Sequence, residues 1–87
     1  MAWTLRISRK ALRQLEKIET RTSDRILSIM EDIAQLEDPR LRGAALSGNL
    51  AGSWRYRIGE WRVIAQLQYG ALTILVVEIG NRRDIYR

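Results

Sequence analysis

The chain lacks two residue types on which many enzymes and metal sites depend. Its 87 residues include no cysteine and no histidine. Disulfides, thiolate nucleophiles, imidazole bases and zinc sites built from these side chains are therefore excluded. We expect any chemistry of this chain to need neither a metal nor a cofactor, and to be carried by arginine, tyrosine or carboxylate side chains.

Long apolar runs are also missing. The longest mainly apolar stretch, residues 71–77, is far too short to cross a bilayer. The first apolar residues are interrupted by Arg6, Arg9 and Lys10, which argues against a signal peptide. The sequence therefore predicts a soluble, cytoplasmic protein without a membrane partner, forming a single domain over residues 1–87.

Lysine is scarce although the chain is basic. Of fifteen basic residues only Lys10 and Lys17 are lysines, and the formal net charge is +5. The planar guanidinium of arginine suits bidentate contacts with phosphate and stacking on bases. The charge alone is almost as compatible with a basic soluble protein that has no nucleic-acid partner.

Two amphipathic helices are predicted after a short strand over residues 3–7. Ser8 offers an oxygen that can cap the first helix, and Thr22 or Ser23 can cap the second. The second is expected to end at Asp38-Pro39. Apolar stripes predicted to face the core comprise Ala11, Leu12, Leu15 and Ile18, then Ile26, Ile29, Met30, Ile33 and Leu36.

Three strands are predicted in the second half, over residues 54–58, 61–69 and 72–79. Gly59-Glu60 and Gly70-Ala71 each place glycine first in a two-residue link, which fits a type II′ hairpin. The preceding residues 39–53 look like a loop of about fifteen residues, long enough in so small a domain to be a candidate functional loop.

The hairpin register sorts these residues into two faces. Pairing Arg57 with Arg62 places both on one face, and Arg55 lies on the same face by strand alternation; we call it the arginine face. The register predicts Gln68 opposite Thr73, Gln66 opposite Leu75, Ile64 opposite Val77, and Arg62 opposite Ile79. The other face, here the helix face, is predicted to hold Trp54, Tyr56, Ile58, Trp61, Val63, Ala65, Leu67, Leu72, Ile74 and Val76.

These patterns predict an α+β fold in which an N-terminal strand and a two-helix hairpin pack on one face of a small, mainly antiparallel sheet. The arginine face then needs an explanation, because like charges opposite each other cost up to about 1 kcal/mol. One interpretation is a polyanionic or acidic partner. The other is a set of ordinary solvent-facing charges, and spacing does not choose between them.

Three sequence blocks, together with the initial strand and helix pair, resemble the RelE-type toxins of bacterial type II toxin–antitoxin systems, in the wider RelE/ParE superfamily. The blocks are LSGNLAGSWRYRI at residues 46–58, GEWRVIAQL at 59–67 and IGNRRDIYR at 79–87. The resemblance covers nearly the whole chain and implies a RelE-like microbial RNase fold. It also implies a ribosome-dependent endoribonuclease that cleaves mRNA by attack of a ribose 2′-OH on the adjacent phosphate and so inhibits translation.

The resemblance also implies roles for individual residues. The implied catalytic residues are Arg55, Arg57, Arg62, Arg82 and Tyr86. Arg83 is the second choice for the tail arginine, and Arg83 and Arg87 are expected to bind RNA. Where relatives often carry lysine, Arg55 and Arg57 can stabilise charge but cannot readily lose a proton. Tyr86 would stack on a base or deprotonate the 2′-OH.

The implied partners are the ribosome with its mRNA, a RelB-like antitoxin, and operator DNA only through the antitoxin complex. The antitoxin is expected to cover the apolar part of the arginine face, namely Ile64, Leu75, Val77 and Ile79. Two alternatives remain open. One is a non-nucleolytic toxin of the ParE branch that inhibits DNA gyrase, and the other is a degenerate member that only binds.

Overall fold

The computed structural model describes residues 2–81, in which two helices pack on one face of a five-stranded sheet. The elements are β1 Thr4–Ile7, α1 Arg9–Glu16, α2 Thr20–Ala34, β2 Ala44–Ala45, β3 Trp54–Ile58, β4 Trp61–Gln68 and β5 Thr73–Asn81. The strand order is β1-β5-β4-β3-β2, with β1 parallel to β5 and every other pair antiparallel. The predicted α+β architecture is confirmed.

The first helix begins as predicted. The Ser8 hydroxyl accepts a hydrogen bond from the backbone N–H of Ala11 at 3.1 Å, satisfying one of the unpaired donors of the first turn. Ala11 and Leu15 are buried, but Leu12 is 52% exposed. Its place in the core stripe was wrongly predicted, because one residue turns the helix by about 100° and carries Leu12 to the flank.

The second helix begins and ends earlier than predicted. It starts at Thr20, and Ser23 donates its hydroxyl to the Leu15 carbonyl at 2.8 Å, joining the helices rather than capping one. It ends at Ala34, and Asp38 instead caps a single 3₁₀ turn. No helix in residues 2–81 is long and apolar enough to cross a membrane.

The helix face matches its prediction at every position. Tyr56, Ile58, Val63, Ala65, Ile74 and Val76 belong to the buried core, while Trp54, Trp61, Leu67 and Leu72 pack against it. The helices contribute Ala11, Leu15, Ile26, Met30, Ile33 and Ala34 to that core. Strand alternation and burial of one face together determine this arrangement.

The two hairpins differ in how well they were predicted. In the first, Gly59 has φ +61°, and Arg57 lies opposite Arg62 as expected. The second connection is not a two-residue type II′ turn. It is a 3₁₀ turn over Tyr69–Ala71, followed by Leu72 in the left-handed region at φ 46°. The Leu72 carbonyl accepts the Thr4 N–H at 2.8 Å, tying this turn to β1.

A β-bulge changes the register beyond the second turn. The predicted pairs Gln68 with Thr73 and Gln66 with Leu75 are present, but the register shifts between Ile64 and Ala65. Ile64 consequently lies opposite Glu78 and Arg62 opposite Gly80, so their predicted partners Val77 and Ile79 were wrong. An extra residue in one strand has this effect on every later pair.

The bulge lies where β5 extends past the end of β1. The last β1 pair joins Ile7 to Val76, so the outer side of β5 has no strand partner further along. Ser8, which precedes α1, and Gln14 within α1 supply hydrogen bonds to β5 in place of that strand. Ser8 donates to the Val77 carbonyl at 3.3 Å, and the Ile79 N–H donates to the Gln14 side-chain carbonyl at 2.7 Å.

Candidate functional site

Three arginines lie together on the sheet face opposite the helices. Arg57 and Arg62 are directly opposite each other across the β3–β4 hairpin, and Arg55 lies two residues along, opposite Ile64. The Cβ atoms of directly opposite residues are roughly 4.5–5.5 Å apart. The structure therefore brings together the three predicted catalytic arginines that it describes.

Two of these arginines line an open pocket of about 310 Å³, together with Gly43 and Ala44. Ala44 lies directly opposite Arg55, so its methyl group is on the arginine face. Arg57 is exposed and Arg55 is half-buried. The pocket is therefore lined by two arginines beside a wall that carries almost no side chain.

The pocket wall belongs to residues 39–53, which the sequence predicts to be a candidate functional loop. Residues 39–53 instead contain the two-residue strand β2 and 3₁₀ turns over Pro39–Leu41 and Gly48–Leu50. A strand of two alanines is too short for a period-2 pattern to reveal it. Gly43 and Ala44 were therefore missed as site residues, and their small size was the one available signal.

Two aromatic side chains of β3 hold this wall in place. Trp54 Nε1 donates to the Arg42 carbonyl at 2.7 Å, and the Tyr56 hydroxyl donates to the Pro39 carbonyl at 2.8 Å. Burial raises the pKa of Tyr56, and the charge of Asp38 adds to the increase. The phenol consequently remains a neutral donor to Pro39.

Gly43 is required by its backbone and by its surroundings. Its φ is +77°, a conformation that other residues rarely adopt. A Cβ there would lie 2.4 Å from the Arg55 carbonyl oxygen and 2.7 Å from Trp54 Nε1. The wall can approach β3 this closely only because residue 43 has no side chain.

Arg40 is engaged outside the pocket. Its guanidinium donates to both carboxylate oxygens of Asp38 and lies 5.1 Å from the centroid of the Tyr69 ring. Hydrogen bonds from Arg40 hold the pKa of the Asp38 carboxyl below its usual range. Tyr69 in turn meets the Trp3 ring edge-on, with 5.5 Å between centroids. This cluster ties the segment before β2 to the β4–β5 turn.

Arg62 differs from its neighbours because it is only 6% exposed. Its Nη1 donates to the carbonyls of Gly59 and Trp61 at 3.2 and 3.1 Å, bracing the hairpin turn. Its Nε is buried without a hydrogen-bond partner in the described part of the chain. A buried cation with spare donor capacity strongly favours a nearby anion.

Residues 54–81, which form β3 to β5, contain two acidic residues, Glu60 and Glu78. Glu78, which lies opposite Ile64, forms an ion pair with Lys10 of α1. Glu60 is exposed in the hairpin turn. Within residues 2–81, no three acidic side chains come together as a set of metal ligands.

The apolar residues assigned to antitoxin binding do not all lie where predicted. Leu75 and Val77 are half-buried and outside the core cluster, and Ile64 is buried outside it. Ile79 instead lies opposite Val63, in the core and 2% exposed. The bulge turned it to the helix face, so its predicted place on the arginine face was wrong. The predicted site residues Arg82, Arg83, Tyr86 and Arg87 lie outside the described residues.

Comparisons with known proteins agree on one family. A sequence model described as the ParE toxin of type II toxin–antitoxin system, parDE, matches residues 5–86. Toxin RelG of Mycobacterium tuberculosis is 27% identical over 88 residues, covering 100% of this chain and 99% of that protein.

Solved structures share the fold. The toxin–antitoxin complex RelBE2 from Mycobacterium tuberculosis contains a chain similar to this one, with TM-score 0.85 and 24% identity over 97% of this chain and 95% of that chain. The isolated E. coli RelE toxin gives TM-score 0.74 and 18% identity, covering 92% of this chain and 84% of that chain. Since the family match spans nearly all residues, this protein belongs to the ParE toxin family of type II toxin–antitoxin systems, within the RelE/ParE superfamily.

Proposed function

We propose that this toxin is a metal-independent, ribosome-dependent endoribonuclease that cleaves mRNA and so inhibits translation. The observation that carries the proposal is the arginine face, where Arg55, Arg57 and Arg62 occupy neighbouring positions and two of them line a pocket. Like charges so arranged destabilise the fold slightly and gain from a bound polyanion.

The arginines suit the charge that develops during the proposed reaction. A ribose 2′-OH attacks the adjacent phosphorus, the bond to the next nucleotide's 5′-oxygen breaks, and a 2′,3′-cyclic phosphate and a 5′-OH remain. Negative charge builds on the phosphorane oxygens. Arg57 is exposed and can bind them directly, while Arg62 adds a buried positive charge beside it. One such donor is worth about 3 kcal/mol in acyl-transfer enzymes.

Proton transfer needs other groups, because guanidinium cannot act as a base at neutral pH. We assign deprotonation of the 2′-OH, or stacking on a base, to Tyr86. We assign stabilisation of the negative charge on the leaving 5′-oxygen to Arg82, with Arg83 as the alternative, and this oxygen takes its proton from water while the proton of the 2′-OH is released. RNA binding is assigned to Arg83 and Arg87. Since these groups form a weak acid–base set, the ribosome supplies much of the orientation of the RNA.

We further propose that a RelB-like antitoxin neutralises this toxin in the cytoplasm and that operator DNA binds only to the antitoxin complex. Relatives of this fold have been solved as toxin–antitoxin complexes from Mycobacterium tuberculosis and E. coli. In this chain the half-buried Leu75 and Val77 of β5 lie outside the core cluster and offer an apolar contact for such a partner.

A second candidate function is inhibition of DNA gyrase without RNA cleavage, because the matching family model bears the ParE name. The arginine face supports the nuclease over this alternative, since a protein that only binds gyrase does not need three arginines at neighbouring positions on one sheet face. A member that only binds its antitoxin is the third candidate.

Primer extension on abundant mRNAs after induced expression separates these candidates. The variants are Arg62→Ala and Tyr86→Phe, with Arg13→Ala as a charge-matched control on the exposed side of α1. We expect new 5′ ends inside translated regions in the wild type and control, weakened in the two variants and absent when initiation is blocked. DNA damage with intact mRNA would indicate gyrase inhibition, and normal growth would indicate a binding-only role.

A further inference from the structure

We propose that Lys10 is a positioning residue for the arginine face: by binding the carboxylate of Glu78, it prevents that carboxylate from binding Arg62, so that Arg62 remains available to an anionic substrate. The inference rests on the proposed function and extends it, since it gives a residue of α1 a part in the reaction through Glu78 and Arg62. Neither Lys10 nor Glu78 touches the substrate in this role.

Glu78 is the acidic residue of β5 that lies on the arginine face. Its partner across β4 and β5 is Ile64, and the partner of Arg62 is Gly80. Glu78 and Arg62 are therefore diagonal neighbours on one face, with Cβ atoms closer than about 8 Å, a separation that long side chains can bridge. A carboxylate at this position can neutralise the guanidinium that the proposed reaction uses.

The β-bulge is what brings Glu78 to this face. A regular register would pair Ile64 with Val77 and turn Glu78 to the helix face. The register shift next to Ile64 instead makes Glu78 its partner and turns Ile79 to the core. The bulge thus adds one carboxylate to a face whose other charged side chains in the described strands are arginines.

Arg62 has the donor capacity to bind such a carboxylate. It is buried, and its Nε has no hydrogen-bond partner within residues 2–81. Gly80, directly opposite, has no side chain that could supply one. A charge-assisted hydrogen bond from Nε to a carboxylate is stronger than a bond between neutral groups. Glu78 therefore has a competing partner on its own face of the sheet.

Lys10 is the partner that Glu78 binds in the structure. It lies in the first turn of α1 and pairs with Glu78 where β5 extends past the end of β1. The Lys10 side chain is 64% exposed and that of Glu78 is 30% exposed, and exposed pairs contribute little stability. The place at which this pair holds the carboxylate therefore matters more than its contribution to the fold.

An NMR measurement on the free protein tests the contact directly. The Nε–H signal of Arg62, assigned by its absence from the spectrum of Arg62→Lys, reports whether this donor gains a hydrogen bond. In Lys10→Ala we expect the signal to move downfield and its exchange with water to slow, because Glu78 then binds Arg62. The wild-type signal should return in Lys10→Ala/Glu78→Gln. An unmoved signal in Lys10→Ala would overturn the inference.

Cleavage of mRNA on programmed ribosomes tests the effect on the reaction. We expect Lys10→Ala to cleave about fivefold more slowly, an effect of the size expected for one exposed ion pair. Glu78→Gln alone should stay within about twofold of wild type, but should restore the lost rate when added to Lys10→Ala. Lys10→Arg keeps the cation and should cleave like the wild type. Unchanged cleavage in Lys10→Ala would overturn the inference.

Lys17→Ala is the charge-matched control, because Lys17 is exposed at the C-terminal end of the same helix. An equal loss of cleavage in Lys17→Ala and Lys10→Ala would show an effect of net charge alone and overturn the inference. Slower cleavage by Glu78→Gln would also overturn it, because Glu78 would then act in the reaction itself, as an acceptor of the 2′-OH proton. Thermal unfolding of each variant checks the fold.

The two readouts separate this inference from the proposed function, since the NMR signal needs neither RNA nor a ribosome. The expected changes in the Arg62 signal, in a protein that cleaves no mRNA, would support the contact and contradict the proposed reaction. Wild-type cleavage in every Lys10 and Glu78 variant, with an unmoved Arg62 signal, would contradict the inference and leave the reaction intact.

Discussion

The two faces of the sheet follow different rules. On the helix face, all ten residues predicted from alternation lie in the core or against it. On the arginine face, the register beyond the bulge differs from the prediction, and the pocket depends on a two-residue strand. Burial constrains the first face at each position, whereas the second face depends on local backbone irregularities.

The largest loss of stability is expected at Gly43, where the segment before β2 lies against β3. Replacing Gly43 by valine combines a left-handed φ with contact against β3, and we expect a loss of roughly 2–5 kcal/mol in the free energy of unfolding. Urea denaturation measures it. Gly48→Val is the control, because Gly48 also has a positive φ but a Cβ added there would meet no atom within 4 Å beyond its chain neighbours. Equal losses at both positions would contradict the close approach of the wall.

The next effect separates function from stability on the arginine face. Arg57 is exposed and opposite Arg62, so Arg57→Ala should leave stability within about 0.5 kcal/mol of wild type. mRNA cleavage should fall by about 10²-fold, as when one transition-state donor is lost. Arg62→Ala should lower both, because Arg62 also braces Gly59 and Trp61. If the Arg57→Ala variant cleaves mRNA as fast as the wild type, Arg57 is not a catalytic residue.

A smaller effect tests the buried anchor of the wall. Tyr56→Phe removes the hydrogen bond to Pro39, and we expect a loss of about 1–2 kcal/mol at pH 7. Because the folded-state pKa of Tyr56 is raised, its contribution is complete below the unfolded pKa of about 10 and decreases as pH rises above that value.

Unfolding monitored at alkaline pH measures this difference. The wild type should lose stability above about pH 10 more steeply than Tyr56→Phe, since the folded phenol retains its proton while the unfolded phenol ionises. The same alkaline slope in wild type and Tyr56→Phe would contradict the burial argument.

The smallest effect concerns the bulge itself. Gln14→Ala leaves the Ile79 N–H without its side-chain acceptor, and we expect a loss of about 1 kcal/mol. Amide exchange at Ile79 should become faster. Lys10→Ala breaks the exposed ion pair with Glu78. It should lower the free energy of unfolding by no more than about 1 kcal/mol and leave the Ile79 amide protected.

Much of the fold could be predicted, because the spacing of apolar residues and the identity of turn residues determine structure over short stretches of sequence. The Ser8 cap, the Gly59 hairpin and the helix face all depend on residues close in sequence or on a strict period of two. The bulge could not be predicted, because neither an apolar period nor a turn residue in the sequence marks the place where β5 extends past the end of β1.

The positions of the charged residues in the candidate site could be predicted from the sequence, but the pocket beside them could not. Arg55, Arg57 and Arg62 were located by hairpin register, which the structure confirms. The pocket wall at Gly43 and Ala44 comes from a contact between a two-residue strand and β3, for which the sequence carries no periodic signal.

The most direct test of the central claim uses purified ribosomes programmed with a short mRNA and incubated with this protein. We predict cleavage in the decoding site that leaves a 2′,3′-cyclic phosphate and a 5′-OH. Cleavage should be abolished by a single 2′-deoxy nucleotide at the cut and strongly reduced in Arg57→Ala, but not in Arg13→Ala. Intact mRNA under these conditions, or cleavage that ignores the 2′-deoxy substitution, would contradict the account.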